Sequence, residues 1–129
     1  MDATDVVEIT QVLGRYGQIV DGRAWGDLAD VFTPDAVFDT GAFGQGCQTG
    51  VEAIRTMFEG GTQPYSVNIV NIVVSDGDAP GTARAYSKNI GLLPKGRVGS
   101  ASYHDELVRT AGGWRVARRM AHAPRREQP

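Results

Sequence analysis

An α+β domain is what this chain predicts, with its helices gathered in the first half and an antiparallel sheet in the second. Three observations carry the prediction. Apolar residues recur at helical spacing in segments up to Phe58. From Tyr65 onward the chain turns β-branched and alternating, and Gly-containing turns divide it into strand-length pieces. Helices segregated in this way from strands define the class. A chain of 129 residues is the size of one domain, placed here at residues 1–123, with 124–129 as a flexible tail.

Residues 5–20 form the first predicted helix, because Val6, Ile9, Leu13, Tyr16 and Val20 fall on one face. Asp5 and Glu8 have the spacing of a capping box. Residues 24–32 follow as a short helix with Trp25, Leu28 and Phe32 inward, stopped by Pro34 and Asp35. Ala36–Thr40 reads as a strand, and Gly41–Gly50, with its glycines, as a loop. Thr49 and Glu52 form a second capping box. It opens a helix with Val51, Ile54, Met57 and Phe58, which Gly60-Gly61 ends. Four strands follow, at Tyr65–Ser75, Thr82–Leu92, Val98–Thr110 and Trp114–Ala121, as an antiparallel meander. A curved sheet that cups a long helix encloses a conical pocket, a natural small-molecule site.

Composition excludes several classes of function. Hydrophobic residues make up 41% and charged residues 22%, which is the balance of a soluble globular protein. A net charge of −2 and a pI near 5.6 argue against nucleic acid or an anionic membrane as partner. The basic end (Arg115, Arg118, Arg119, Arg125, Arg126) reads as a solvated strand face and a tail. Cys47 is the lone cysteine, so no intrachain disulfide forms, in keeping with a reducing cytoplasm. No apolar run has the length of a membrane span, and the polar start is unlike a signal peptide. His104 and His122 are too few and too separated for a metal site, so neither metal nor cofactor is expected.

The segment from Arg15 to Trp25 carries the first candidate chemistry. Tyr16 and Asp21 lie about 140° apart on a helix of 3.6 residues per turn, and Gly22 is a natural stop. A phenol and an acid at the mouth of an apolar pocket are parts for proton transfer to a carbonyl or hydroxyl. The alternative is that Tyr16 packs in the core and Asp21 caps the next helix. Strand parity places Ala101, Tyr103, Asp105 and Leu107 on one face and His104 on the other. It likewise groups Val67, Ile69, Asn71 and Val73, which makes Asn71 either a pocket donor or a bulge residue.

Two stretches resemble a known superfamily. One is Arg15-Tyr16, Asp21-Gly22-Arg23-Ala24-Trp25-Gly26-Asp27-Leu28 and Val31-Phe32-Thr33-Pro34-Asp35-Ala36-Val37. The other is Tyr103-His104-Asp105-Glu106-Leu107-Val108-Arg109-Thr110 with Gly113-Trp114-Arg115-Val116. Together they resemble the NTF2-like superfamily, and within it the SnoaL-like proteins related to scytalone dehydratase. That resemblance implies a cone of three N-terminal helices packed on a curved, mainly antiparallel sheet around a pocket. It also implies a homodimer through the sheet face. In eliminating members an aspartate matching Asp21 orients a histidine base on the first long strand, and a tyrosine matching Tyr16 precedes it. The histidine position falls on Val67, or on Asn68 with a one-residue slip. Counterparts of Tyr16, Asp105 and Asp39 form the oxyanion hole and proton shuttle of the ketosteroid-isomerase-like relatives.

The resulting expectation is a cofactor-independent enzyme, a cyclase, dehydratase or isomerase, for a hydrophobic, oxygenated, polyketide-like or cyclic substrate. Tyr16, Asp21, Asp39 and Asp105 are its candidate catalytic residues. Trp25, Phe38, Val67, Asn71 and Tyr103 are its candidate substrate-binding residues. The alternative is a catalytically silent binding or dimerisation module, because the same fold hosts both.

Overall fold

The computed structural model describes residues 1–125, so residues 126–129 of the expected tail lie outside the described residues. Helix α1 (Ala3–Gly22) presents Ile9, Val12, Leu13, Tyr16, Ile19 and Val20 as one buried face. Burial of each such aliphatic side chain contributes about 1.5–3 kcal/mol. Asp2, not Asp5, is the cap, and it accepts the Asp5 N–H at 2.9 Å. The Asp5 carboxylate accepts instead from Trp114 Nε1 at 3.1 Å and from Arg109 at 2.5 Å, tying the first helical turn to the last hairpin. Those two hydrogen bonds, Trp114's foremost, hold the Asp5 carboxyl below its ordinary value. The helix ends at Gly22 because Arg23 turns left-handed, at φ 55°, and its N–H returns to the Ile19 and Val20 carbonyls.

A 3-10 helix (Trp25–Asp30) buries Leu28 and is shorter than the expected segment. Phe32 leaves it to open strand β1 (Phe32–Asp39). The Gly-rich loop holds a second short strand, β2 (Cys47–Thr49), and then helix α2 (Val51–Gly60). Gly50 occupies the cap of α2 at φ 94° and no side chain caps the helix, so the Thr49–Glu52 box does not form. The long strands are β3 (Ser66–Asp76), β4 (Thr82–Leu92), β5 (Val98–Thr110) and β6 (Gly113–His122).

All six strands form one sheet in the order β2-β1-β6-β5-β4-β3. The expected meander is therefore extended, because β1 pairs with β6, in parallel. Helix α1 lies across the inner face and packs mainly on β3. A Cβ on Gly17 would stand 3.4 Å from the Val67 carbonyl oxygen, which shows how closely the helix approaches that strand.

Two bulges interrupt strand parity: the first changes the parity read from the sequence for β3, and the second resets that of β6, while the face assigned to Tyr103, Asp105 and Leu107 holds. The β3–β4 register shifts between Val70 and Val73, where Asn71 sits at φ 54°. Beyond it Ile72 and Val74 turn to the core and Val73 is exposed, so the shared face assigned to Val67, Ile69, Asn71 and Val73 does not continue past Asn71. The β5–β6 register shifts where Leu107 faces Val116 and Glu106 faces Arg118. Trp114 and Val116 point inward, and after the shift Arg119 and Ala121 do.

Inner-face residue size decides where the cone is open. Leu107, Trp114 and Val116 fill one end against Ile9 and Leu13. At the other end Gly91 faces Gly99 and Asn89 faces Ala101 across β4 and β5. Side chains that small leave space between sheet and helix. Asn71→Val should destabilise the fold by about 1–2 kcal/mol, the cost of a left-handed β-branched residue, whereas Asn71→Gly should be close to neutral. Urea unfolding of the two variants checks this. Equal midpoints would show that the bulge does not depend on the left-handed residue.

Candidate functional site

The open end of the cone holds a cavity of about 310 Å³. Tyr16 and Val20 reach it from α1, Phe38 from β1 with Thr40 just beyond that strand, and Phe58 and Met57 from α2. Val67, Asn89 and Tyr103 line it from β3, β4 and β5. Phe43 and Gln45 of the Gly-rich loop and Gln63 and Pro64 stand around it. Its walls are mostly aromatic and aliphatic, with a few converging polar groups, as small-molecule sites are.

Those polar groups form a chain. Asn89 Nδ2 donates to Tyr103 Oη at 2.9 Å, and Tyr103 Oη lies 3.2 Å from Tyr16 Oη. The rings of Tyr16 and Tyr103 meet edge to face at 5.8 Å. Tyr103 accepts from Asn89, so when Tyr16 also donates to it the Tyr103 hydroxyl hydrogen is free for a ligand. Asn89 Oδ1 is buried without a hydrogen-bond partner among the described residues. Burial pushes the Tyr16 phenol well above its ordinary value, with Tyr103 adding to the effect and the Arg119 charge opposing it. Tyr16 is therefore a hydrogen-bond donor at neutral pH and not a base.

Beneath the two rings lies a buried ion pair. Arg119 Nε and Nη2 donate to Asp105 Oδ1 and Oδ2, both at 2.8 Å, with both side chains wholly excluded from solvent. Its guanidinium carbon stands 4.0 Å from the Tyr103 ring centre and 4.3 Å from that of Tyr16. Burial pulls the guanidinium down, and the charge and hydrogen bonds of Asp105 more than reverse this, leaving it above its ordinary value.

The sequence-derived candidates divide between cavity and surroundings. Tyr16, Phe38, Val67 and Tyr103 line the cavity. Trp25 stacks on Phe58 at 5.2 Å and is not among the lining residues, so its place is to support that wall. Asn71 is the exposed bulge residue. Asp21 is exposed, and its Oδ1 accepts the Val67 N–H at 2.8 Å, which pins the end of α1 to the start of β3. Asp39 alternates away from Phe38 and Thr40, and its Oδ1 accepts the Gly41 N–H at 2.9 Å. Asp105 has both oxygens engaged by Arg119 and is not among the residues that line the cavity beside Tyr16. The oxyanion hole expected from Tyr16 and Asp105, with Asp39 as proton shuttle, is not assembled. His104 lies on the outer face, with its ring centre 4.6 Å from Tyr86 and 4.4 Å from His122.

Two residues of the site went unread in the sequence. Arg119 belongs to a stretch interpreted as a solvated face, yet it is 0% exposed. Parity counted from Trp114 puts Arg118 inward, and only the bulge moves Arg119 there. Asn89 shares parity with Ala83 and Ala85, both buried, and that was the available signal for a polar group on the inner face.

The helix-backed six-stranded sheet with a cavity at its open end is a fold shared by a 22%-identical NTF2-like protein of cystatin-like fold from Novosphingobium aromaticivorans. The TM-score is 0.74, over 93% of this chain and 82% of that one. The chain belongs to the SnoaL-like domain family, whose model matches residues 1–120. It is 32% identical to the uncharacterised protein Rv2910c of Mycobacterium tuberculosis, over 92% of this chain and 85% of the relative. A second Novosphingobium aromaticivorans structure, provisionally named an aromatic ring hydroxylase, is 28% identical with a TM-score of 0.77. That likeness covers 98% of this chain and 93% of the other.

Removing Asp105 alone should be severe. Asp105→Ala leaves the Arg119 charge buried without a counter-ion and should cost about 3–5 kcal/mol, read as a lower denaturation midpoint. A loss below about 1 kcal/mol, the worth of an exposed pair, would show that water reaches the guanidinium.

Proposed function

We propose that this protein is a small-molecule enzyme that binds a cyclic or aromatic ketone in the cone and polarises its carbonyl oxygen through Tyr103. The observation that carries the reading is the chain from Asn89 through Tyr103 to Tyr16 on the wall of an otherwise apolar cavity. Asn89 donates to Tyr103 Oη, and when Tyr16 donates to it as well the Tyr103 hydrogen is left for a developing oxyanion, where a fixed donor counts most. The aromatic walls suit a flat, oxygenated, polyketide-like substrate. The provisional name of the Novosphingobium hydroxylase supports an aromatic substrate in this kind of cavity.

No carboxylate, amine or imidazole lines the cavity among the described residues. The fitting reactions are therefore those in which holding and polarising the substrate suffice, with water or the substrate itself carrying the proton. Cyclisation, isomerisation and easy dehydration qualify, since positioning alone can supply several kcal/mol of a barrier. The same absence of a base favours the second reading, a binding module that takes up such molecules without turning them over.

A homodimer in the cytoplasm completes the proposal. Val73, Tyr86 and Ile90 are exposed at 62%, 51% and 37% on the outer face of β3 and β4, which supports the sheet as the interface. Such a dimer would bury roughly 1,200–2,000 Å². Light scattering at micromolar concentration should give twice the chain mass, and a monomeric mass would remove the dimer from the proposal.

Enolisation offers a test that does not require the natural substrate. Cyclic and aryl ketones incubated in D₂O, with water or buffer as the proton acceptor that the cavity lacks, should exchange their α-hydrogens faster with the protein than without it, followed by NMR. Tyr103→Phe should slow exchange by about 10²–10³-fold, the usual loss for one oxyanion donor. Tyr16→Phe should cost less. The Tyr16 phenol, raised above its ordinary value by burial, keeps its proton at neutral pH, so the protein-dependent part of the exchange, after subtraction of the hydroxide-catalysed background, should hold across neutral pH and fall only on the alkaline side. If Tyr103→Phe exchanges as fast as the unaltered protein while ligands still bind, the binding-module reading replaces the enzyme.

A further inference from the structure

The site described above uses Arg119 for nothing, although burying its charge is costly. Replacing a buried ion pair with apolar side chains of similar volume is commonly neutral or stabilising, so stability alone does not account for the Asp105–Arg119 pair. Its placement does. Of the four aromatic rings near the guanidinium, Phe32 and Phe38 stand at 5.9 and 6.0 Å, and the two nearest are Tyr103 at 4.0 Å and Tyr16 at 4.3 Å. The closest rings are the two that carry hydroxyls into the cavity. Arg119 Nη1 has no hydrogen-bond partner among the described residues, and the guanidinium acts on the Tyr16 phenol both as a charge and as a neighbouring donor.

We infer that Arg119 is a positioning residue, which fixes the two ring planes and strengthens the Tyr103 hydroxyl as a donor to an oxyanion in the cavity. The inference rests on the cavity being a carbonyl site. A cation against a phenol ring withdraws electron density and favours negative charge on, or beside, the phenol oxygen. Asp105 aligns the guanidinium bidentately and keeps it from turning toward a ligand. In a dry, preorganised site such a fixed charge acts without reorganising during the reaction. The opposing effect of Arg119 on the raised Tyr16 phenol has the same direction.

The test replaces the pair as a unit. Tyr65→Phe and Tyr86→Phe first remove the two exposed phenols, leaving Tyr16 and Tyr103 of the chain's four tyrosines. Arg119→Met with Asp105→Leu is then compared with this background, with circular dichroism and thermal melting reporting the fold. Ultraviolet titration should show the first phenol ionising about one pH unit higher once the cation is gone, a tenfold change of the size expected for a desolvated cation–π contact. Affinity for 4-nitrophenolate should fall about tenfold, while that for uncharged 4-nitroanisole holds. Unchanged titration midpoints overturn the inference, as does an equal loss of affinity for both probes. Should the paired replacement not fold, Arg119→Lys carries the titration under the same criterion, with a smaller upward shift expected. If neither probe enters the unaltered protein, the cavity reading under Proposed function fails. The phenol titration then still decides whether Arg119 acts on the tyrosines.

Discussion

A charge with no access to water has to be satisfied where it lies, and Arg119 is such a charge in the middle of this sheet. Its carboxylate partner comes from the neighbouring strand, Asp105 of β5, directly across the ladder from it. That requirement fixes the register of β5 against β6, because a slip of one residue in β6 would turn Arg119 to the outer face and leave Asp105 buried alone. It also fixes the rings stacked on the guanidinium, and through them α1, which supplies Tyr16. Apolar packing alone would tolerate several arrangements of aromatic side chains here. The ion pair admits one.

The cavity follows from a second constraint, the gradient of side-chain size along the inner face. Large residues close the end near Trp114, and paired small residues open the end near Gly91 and Gly99. The ion pair lies between these ends, so the tyrosines it carries form part of the cavity wall. Stability and chemistry meet at one level of the cone. The carboxylates that looked catalytic serve elsewhere, Asp21 and Asp39 on backbone N–H groups and Asp105 on Arg119.

The sequence showed the fold well because its signals are local and repeated. Helical spacing marked α1 and α2, alternation marked the four long strands, and the Tyr16 and Tyr103 stretches together marked the superfamily. The parallel pairing of β1 with β6 was not legible, since nothing local in Phe32–Asp39 says which distant strand it joins. The site was harder to read for a related reason. Which way Arg119 or Asn71 points depends on one inserted residue in a long strand, and inserted residues leave no trace in periodicity. Asn89 and Asp105 had the right parity, yet parity does not disclose a partner, and a carboxylate bound to a guanidinium differs chemically from one left to donate.

The strand order bears on how the chain comes together as it is made. β6 is the last of these six strands to be synthesised, and it lies between β1 and β5. Until it emerges, the sheet exists as two unconnected pieces, β2-β1 and β5-β4-β3, each with a bare edge. Pairing across such sequence distances forms slowly, because the loop must be closed before the contacts reward it. The growing chain therefore holds these two edges open until β6 arrives, and the β5–β6 hairpin joins both in one event. A ribosome pausing before Gly113 would present an assembly-competent but unsealed sheet, the form most exposed to wrong partners.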